Sequence, residues 1–321
     1  MAQIDIGDAA MAGVRLTMRK PLVVLTWGAL VMAFIALLLV IFGGGVVAII
    51  QAVARSGSAG PGPEQILGLV GGLIGLGLLL WIGLWVINCT IMAAAMRAEL
   101  EPQYQGFAYL RFGQQELWLM GVTFVMGIVI YLFQLAISIP VVIVEGVVGA
   151  GSFGAAGAAQ AGDFNPAALA SAIGVQLLGQ VLILCATAWF WLRLCLGPVM
   201  SFRERQFRLF ESWTMTSGHA WRMFLAMLLV FVMVSVIYVV IWVIGAAAVF
   251  AMIAGSPELK DLKTFFKQPP AHWLSVFAPL LVFVFVTGVV VTGVVNAWTW
   301  TTVARIYRQL NPDVDVASTF T

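Results

Sequence analysis

The run MFLAMLLVFVMVSVIYVVIWVIGAAAVFAMIA, residues 223–254, decides the class of fold: thirty-two residues pass without one charged side chain. As an α-helix rising 1.5 Å per residue it would be about 48 Å long. A bilayer's hydrocarbon core is about 30 Å thick, so the run is long enough to cross with tilt or protrusion. Five further apolar runs accompany it, at residues 21–50, 66–96, 117–144, 173–200 and 273–303, with Arg193 the one charged residue among them. The expected fold is therefore all-α: a polytopic membrane protein whose six transmembrane helices form three hairpins joined by amphipathic interfacial segments. Pro140 and Pro279 are the places where these helices would kink.

Composition points the same way. Of 321 residues, 62% are hydrophobic and 9% charged, and mean hydropathy is +1.04. So few charged groups could not cover the surface of a soluble domain. The first run exceeds the apolar region of a cleavable signal peptide, so it is expected to stay in the protein. Net charge is only +2. With the basic residues scattered through short loops, nucleic-acid binding has no support. Cys89, Cys185 and Cys195 lie inside or at the ends of apolar runs, where cysteine serves as a small packing residue, and imply no disulfide framework.

The basic residues orient the chain, because short loops rich in Lys and Arg stay cytoplasmic. Arg15, Arg19, Lys20, Arg97, Arg111, Arg203, Arg205, Arg208, Arg222, Arg305 and Arg308 fall on one side; Arg55, Lys260, Lys263 and Lys267 fall on the other. Both termini are thus expected in the cytoplasm, as for a multi-pass protein of the inner (plasma) membrane. On this topology His219 and His272 sit on opposite faces and cannot share a metal.

Spacing brings out a repeat with candidate units 1–106, 107–210 and 211–321 in one transmembrane domain, residues 1–321. Arg97, Arg203 and Arg308 each follow the second helix of a hairpin. Met96-Arg97-Ala98-Glu99-Leu100-Glu101-Pro102 resembles Tyr307-Arg308-Gln309-Leu310-Asn311-Pro312, and Ala12-Gly13-Val14-Arg15-Leu16 resembles Ala108-Tyr109-Leu110-Arg111-Phe112. Trp189 and Trp191 match Trp298 and Trp300. Interfacial Trp and Arg in every hairpin would produce part of this similarity without a repeat.

Residues 202–223 mix Arg203, Arg205, Arg208 and Arg222 with Phe202, Phe207, Phe210, Trp213 and Trp221, which suits a helix lying at the membrane interface. Residues 146–174 are mostly glycine and alanine and read as a loop, with Asn165-Pro166 starting the fourth helix. Within that loop Gly149-Ala150-Gly151-Ser152-Phe153-Gly154 matches the dinucleotide fingerprint. No strand leads into it, so it reads as a flexible glycine loop. A short surface helix is expected after Ser256-Pro257.

Chemistry-bearing residues are scarce inside the runs. Glu145 and Arg193 sit near helix ends, where hydration or snorkelling accommodates them. Asn88, Gln134, Gln176, Gln180 and Asn296 are the neutral polar groups. Together the seven form a candidate polar passage, with helix-to-helix hydrogen bonds as the commoner use. No catalytic, cofactor or metal motif is found. Glu99, Glu101, Glu116, Glu204, Glu211 and His219 are the inner-face groups from which a lipid enzyme would have to be built. The glycine-rich helix 66–96, with Gly68, Gly71, Gly72 and Gly75, offers close packing to another helix of the chain, to a protein partner or to a second copy. Membrane lipids are the remaining expected partner. Trp118, Trp221, Trp273 and Trp300 read as interfacial anchors.

The segments Phe107–Gly113 and Ser212–Phe224 resemble those of bacterial inner-membrane proteins built from three helical hairpins, and more distantly the membrane domain attached to some glycerophosphodiester phosphodiesterases. The resemblance implies a six-helix fold in a bacterial inner membrane. It carries no catalytic residue across, since no soluble phosphodiesterase domain is present. The expected role is non-catalytic: a membrane scaffold, assembly or envelope-maintenance component. The alternative is a transporter or channel for a lipid or small neutral solute, which tolerates a path without buried charge.

Overall fold

The computed structural model describes residues 4–55, 62–104, 106–158, 166–255 and 270–311. Ten α-helices and a 3-10 turn at Phe107–Tyr109 make up the described chain, with no strand. In order they are α1 Ile6–Ala10, α2 Ala12–Arg19, α3 Pro21–Arg55, α4 Pro63–Leu100, α5 Gln114–Ala158, α6 Pro166–Leu194, α7 Gly197–Glu204, α8 Glu211–Thr216, α9 Ala220–Gly255 and α10 Pro270–Leu310. The long helices α3, α4, α5, α6, α9 and α10 are the six long and apolar enough to cross a membrane. Their outward faces carry large apolar side chains such as Leu39, Leu79, Trp242 and Phe250. This is an all-α, multi-pass membrane protein.

Each apolar run of the sequence appears as a helix, with four differences, three of which have a local physical cause. The fourth run does not continue to residue 200: α6 stops at Leu194, and Pro198, unable to donate a backbone hydrogen bond, sits in the first turn of the separate α7. The third run extends instead, as α5 continues through the fingerprint glycines to Ala158. The expected loop at 146–158 is therefore helical; its alanines favour helix, and glycine alone lowers helix stability only by about 1 kcal/mol per residue. The interfacial segment 202–223 is not one helix. Arg205 takes a left-handed backbone (φ 54°) that ends α7, α8 is six residues long, and Gly218 (φ 81°) precedes α9. Finally, α1 and α2 occupy a stretch to which the sequence assigned no helix. The segment after Ser256 lies outside the described residues.

The chain divides into two compact units, Met1–Glu116 with Leu225–Thr321, and Leu117–Phe224. In the first unit α10 packs chiefly against α3, α4 and α2. Trp27 and Val31 of α3, Ile91, Ala94 and Ala95 of α4, and Val294 and Ala297 of α10 form its core. The closest crossing is reciprocal. A Cβ on Gly28 would strike the carbonyl oxygen of Val289, and one on Gly293 would strike that of Val24. By contrast, Gly68, Gly71, Gly72 and Gly75 meet no other helix among the described residues; a Cβ on any of them would have no such helix within 4 Å. On this helix close packing within the chain occurs instead at Gly83, where a Cβ would strike the Phe34 ring, and elsewhere in the unit at Gly28 and Gly293.

A buried latch holds the α4–α5 connector. Arg97 and Glu116 form an ion pair with both side chains 1% exposed. Arg97 Nη1 also donates to Tyr109 O at 2.6 Å, Trp27 Nε1 donates to Ala108 O at 2.9 Å, and Gly113 N donates to Glu116 Oε2 at 2.8 Å. Ala108 and Tyr109 both have positive φ, 49° and 58°. For residues with a Cβ that conformation costs of order 1–3 kcal/mol each, and the two hydrogen bonds fall on the carbonyls of these same residues.

In the second unit Val122 and Met126 of α5 meet Leu194 and Leu209, with Phe190 and Trp191 packed around them. Phe133 and Phe190 stack with centroids 4.0 Å apart. The return after α7 is stitched to both preceding helices: Ser212 Oγ donates to Arg193 O of α6 at 2.7 Å, and Arg208 N donates to Ser201 Oγ of α7 at 3.0 Å.

Candidate functional site

The densest polar assembly of the first unit joins the two ends of the chain. Asp5 caps α1, its Oδ1 accepting from Asp8 N at 3.0 Å. The Asp8 carboxylate then accepts from Arg15 Nη2 at 2.7 Å, Arg305 Nε at 2.7 Å and Gln309 Nε2 at 2.9 Å. Arg305 Nη1 reaches on to Glu99 Oε1 at 3.1 Å, and Arg308 Nη1 lies 3.9 Å from the same oxygen. Trp298 Nε1 donates to Thr17 Oγ1 at 3.1 Å. Helices α1, α2, α4 and α10 are thereby tied together at their polar ends. Burial alone pushes the Asp8 carboxyl up; the hydrogen bond and charge of Arg305, then those of Arg15, outweigh it and hold the group below the usual carboxylate value.

Beside this network lies a cavity of about 430 Å³ whose charged lining is Arg15, Arg19, Lys20, Arg305 and Arg308 against the single carboxylate Glu99. The hydroxyl of Tyr109 accepts from Lys20 Nζ, which also stands 4.7 Å from the ring centroid. Exposed apolar side chains flank the cationic pair in sequence: Met18 is 79% and Leu22 75% exposed.

The second unit has a groove of different character. It is about 550 Å³, runs between α5 and α6 past Pro140, and is apolar except for Glu145. Glu145 Oε1 is buried and has no hydrogen-bond partner among the described residues; a Cβ on Gly179 would strike it. Arg193 is met differently. Its guanidinium lies 5.5 Å from the ring centroids of both Trp189 and Trp213, while Nε and Nη1 are buried without a hydrogen-bond partner among the described residues. Indole faces attract a cation through their quadrupole, which compensates part of the lost hydration.

The residues of the sequence-derived polar passage are distributed as follows. Asn88 donates to Leu84 O at 2.8 Å and Asn296 to Thr292 O at 2.9 Å, so each turns back onto its own helix. Gln134, Gln176 and Gln180 are exposed on the second unit, Glu145 lines the groove, and Arg193 packs between tryptophans. Among the interfacial residues, Arg208 pairs with Glu204 at 2.7 Å and Glu211 at 2.9 Å, and Trp213 packs edge-on to Trp189. Trp221 stacks on Phe224, Arg205 is exposed, and Arg203 and Arg222 are half-buried. The acidic inner-face candidates Glu99, Glu101, Glu116, Glu204 and Glu211 each lie within 4.0 Å of an arginine nitrogen. Sequence reasoning missed the basic cavity as a site, although it had placed all five cations on one side of the membrane. No family model, curated protein or solved structure matches this chain.

Proposed function

We propose that this chain is a non-catalytic integral protein of the bacterial inner membrane, with both termini cytoplasmic, acting as a scaffold, assembly or envelope-maintenance component. The observation that carries the proposal is the network from Asp8 through Arg305 to Glu99. It ties the first helices to the last, and it uses carboxylates as counterions of arginine. The arginine asymmetry between loops supports the orientation, and the resemblance to three-hairpin proteins supports the membrane. The exposed glycines of helix 66–96 are the surface on which a protein partner or second copy would pack.

A second reading, transport of a lipid or small neutral solute, is favoured by the groove containing Glu145. Reconstitution separates the two. In liposomes holding the purified chain, lipid scrambling and efflux of small neutral solutes are expected to match those of protein-free vesicles, and a protein partner is expected to co-purify from mild detergent at fixed stoichiometry. Saturable flux that Glu145→Leu abolishes would move the function to transport.

A further inference from the structure

We infer that the basic cavity of the first unit is a binding site for a phosphate group, the anionic headgroup of a membrane lipid or a free phosphate compound. The inference goes beyond the scaffold proposal and holds whether the chain is a scaffold or a transporter. Its first ground is charge: five cationic side chains and one carboxylate line a space of about 430 Å³. Cations gathered at such density repel one another unless an anion joins them. Glu99 answers part of that charge through Arg305 and Arg308, and Asp8 answers Arg15 and Arg305 from outside the cavity lining. Arg19 makes no ion pair with a described residue.

The second ground is preorganisation. Arg15 is fixed by two hydrogen bonds to Asp8, at its carboxylate and its backbone carbonyl, and Arg305 is held by Asp8 and Glu99. Lys20 is held by Tyr109. Three of the five cations are thus set before a ligand arrives, so less side-chain freedom is lost on binding. Guanidinium groups match phosphate oxygens with paired, charge-assisted hydrogen bonds.

The third ground concerns the source of the phosphate. Arg19 and Lys20 stand between the exposed apolar side chains of Met18 and Leu22, where α2 leads into the membrane-crossing helix α3. A lipid would place its headgroup against the cations and its acyl chains along such apolar surface. A soluble phosphate compound would use the same cations and ignore Met18 and Leu22.

The test is thermal stabilisation of the full chain in neutral detergent, titrated separately with phosphatidic acid, phosphatidylglycerol, phosphatidylcholine and inorganic phosphate. Saturable stabilisation by at least one of the two anionic lipids or by inorganic phosphate is expected. The double variant Arg19→Gln with Arg308→Gln should weaken it at least tenfold. Arg205→Gln with Arg222→Gln, which removes as much charge from the second unit, should leave it unchanged. Arg19→Gln alone, at an exposed side chain, should weaken it at least twofold and covers the event that the double variant misfolds. Preference for an anionic lipid over inorganic phosphate identifies the lipid source, and equal effects identify the soluble one. Equal loss in both double variants would reduce the effect to general charge and overturn the assignment, as would stabilisation by phosphatidylcholine alone or no stabilisation at all.

Discussion

Gly28→Ala and Gly72→Ala are the same chemical change on neighbouring membrane helices, and the fold makes opposite predictions for them. At Gly28 the added methyl would overlap the backbone carbonyl oxygen of Val289, an atom that cannot rotate away, so α3 and α10 must separate. Overpacking of this kind costs about 1–3 kcal/mol; a backbone obstacle places it near the upper end. Separation also loosens Trp27 and Val31 of α3 against Val294 and Ala297 of α10. A gap of even about 0.5–1 Å forfeits a quarter to a half of each contact's dispersion energy. Alanine's better helix propensity returns about 1 kcal/mol, leaving a net loss of about 2 kcal/mol for Gly28→Ala. At Gly72 nothing lies within 4 Å, so only the propensity gain remains. The two variants should differ by about 3 kcal/mol, which at about 2 °C per kcal/mol for a chain of this size separates their unfolding midpoints by roughly 6 °C. Thermal scans of purified protein in one detergent, followed by tryptophan fluorescence, measure this. Equal midpoints, or Gly28→Ala melting above Gly72→Ala, would refute the α3–α10 crossing as the tight contact of the fold.

Breaking the buried latch should cost more than any surface pair: Arg97→Met leaves the Glu116 carboxylate buried without its cation, a loss of about 3–5 kcal/mol. Adding Glu116→Leu should recover more than half of it; no recovery in the double variant would mean that the connector, not the ion pair, carries the effect. At the chain-end network, Asp8→Asn should cost about 1 kcal/mol near neutral pH. Because Asp8 is held below its usual value in the folded protein, its contribution is present above the unfolded value of about 3.9 and is lost as pH falls through the folded one. The midpoint gap between the original chain and Asp8→Asn should therefore be constant from about pH 7 to 5 and close below about pH 4; a gap that persists in acid would remove Asp8 as its source. For orientation, cysteines placed at Ser58 and Ser256, with Cys89, Cys185 and Cys195 replaced, should react with an impermeant reagent only from outside the cell, and labelling from the cytoplasm would reverse the topology.

What the sequence made legible was whatever a single helix encodes. Length, apolar continuity and proline at the helix starts, Pro21 and Pro166 among them, are local signals, and the corresponding helices begin where those signals stand. The misses arise where a residue's meaning depends on a distant partner. Gly28 and Gly293 are single glycines in different helices and carry no spacing pattern, whereas the conspicuous stripe from Gly68 to Gly75 meets nothing among the described residues. Glycine-rich sequence also misled at residues 146–158, where helical hydrogen bonding prevailed over the turn reading because alanine alternates with glycine there. The basic cavity was spread over residues 15–20 and 305–308, and only the packing of α2 against α10 brings those stretches together.

Arg97, Arg203 and Arg308 show why the repeat pattern could not reveal that cavity. Each lies in the last turn of its helix, where the macrodipole favours a cation and where the topology rule favours arginine on one side of the membrane. Those two demands act on position along a helix and are indifferent to what the helix packs against. Packing then assigns the three residues different work. Arg97 is sealed against Glu116 and the strained carbonyl of Tyr109, Arg203 stays half-buried at the end of α7, and Arg308 lines the cavity 3.9 Å from Glu99. A common sequence signature thus accounts for where the charges lie along the chain. The binding capacity comes from the one place where α2 and α10 bring several of them together.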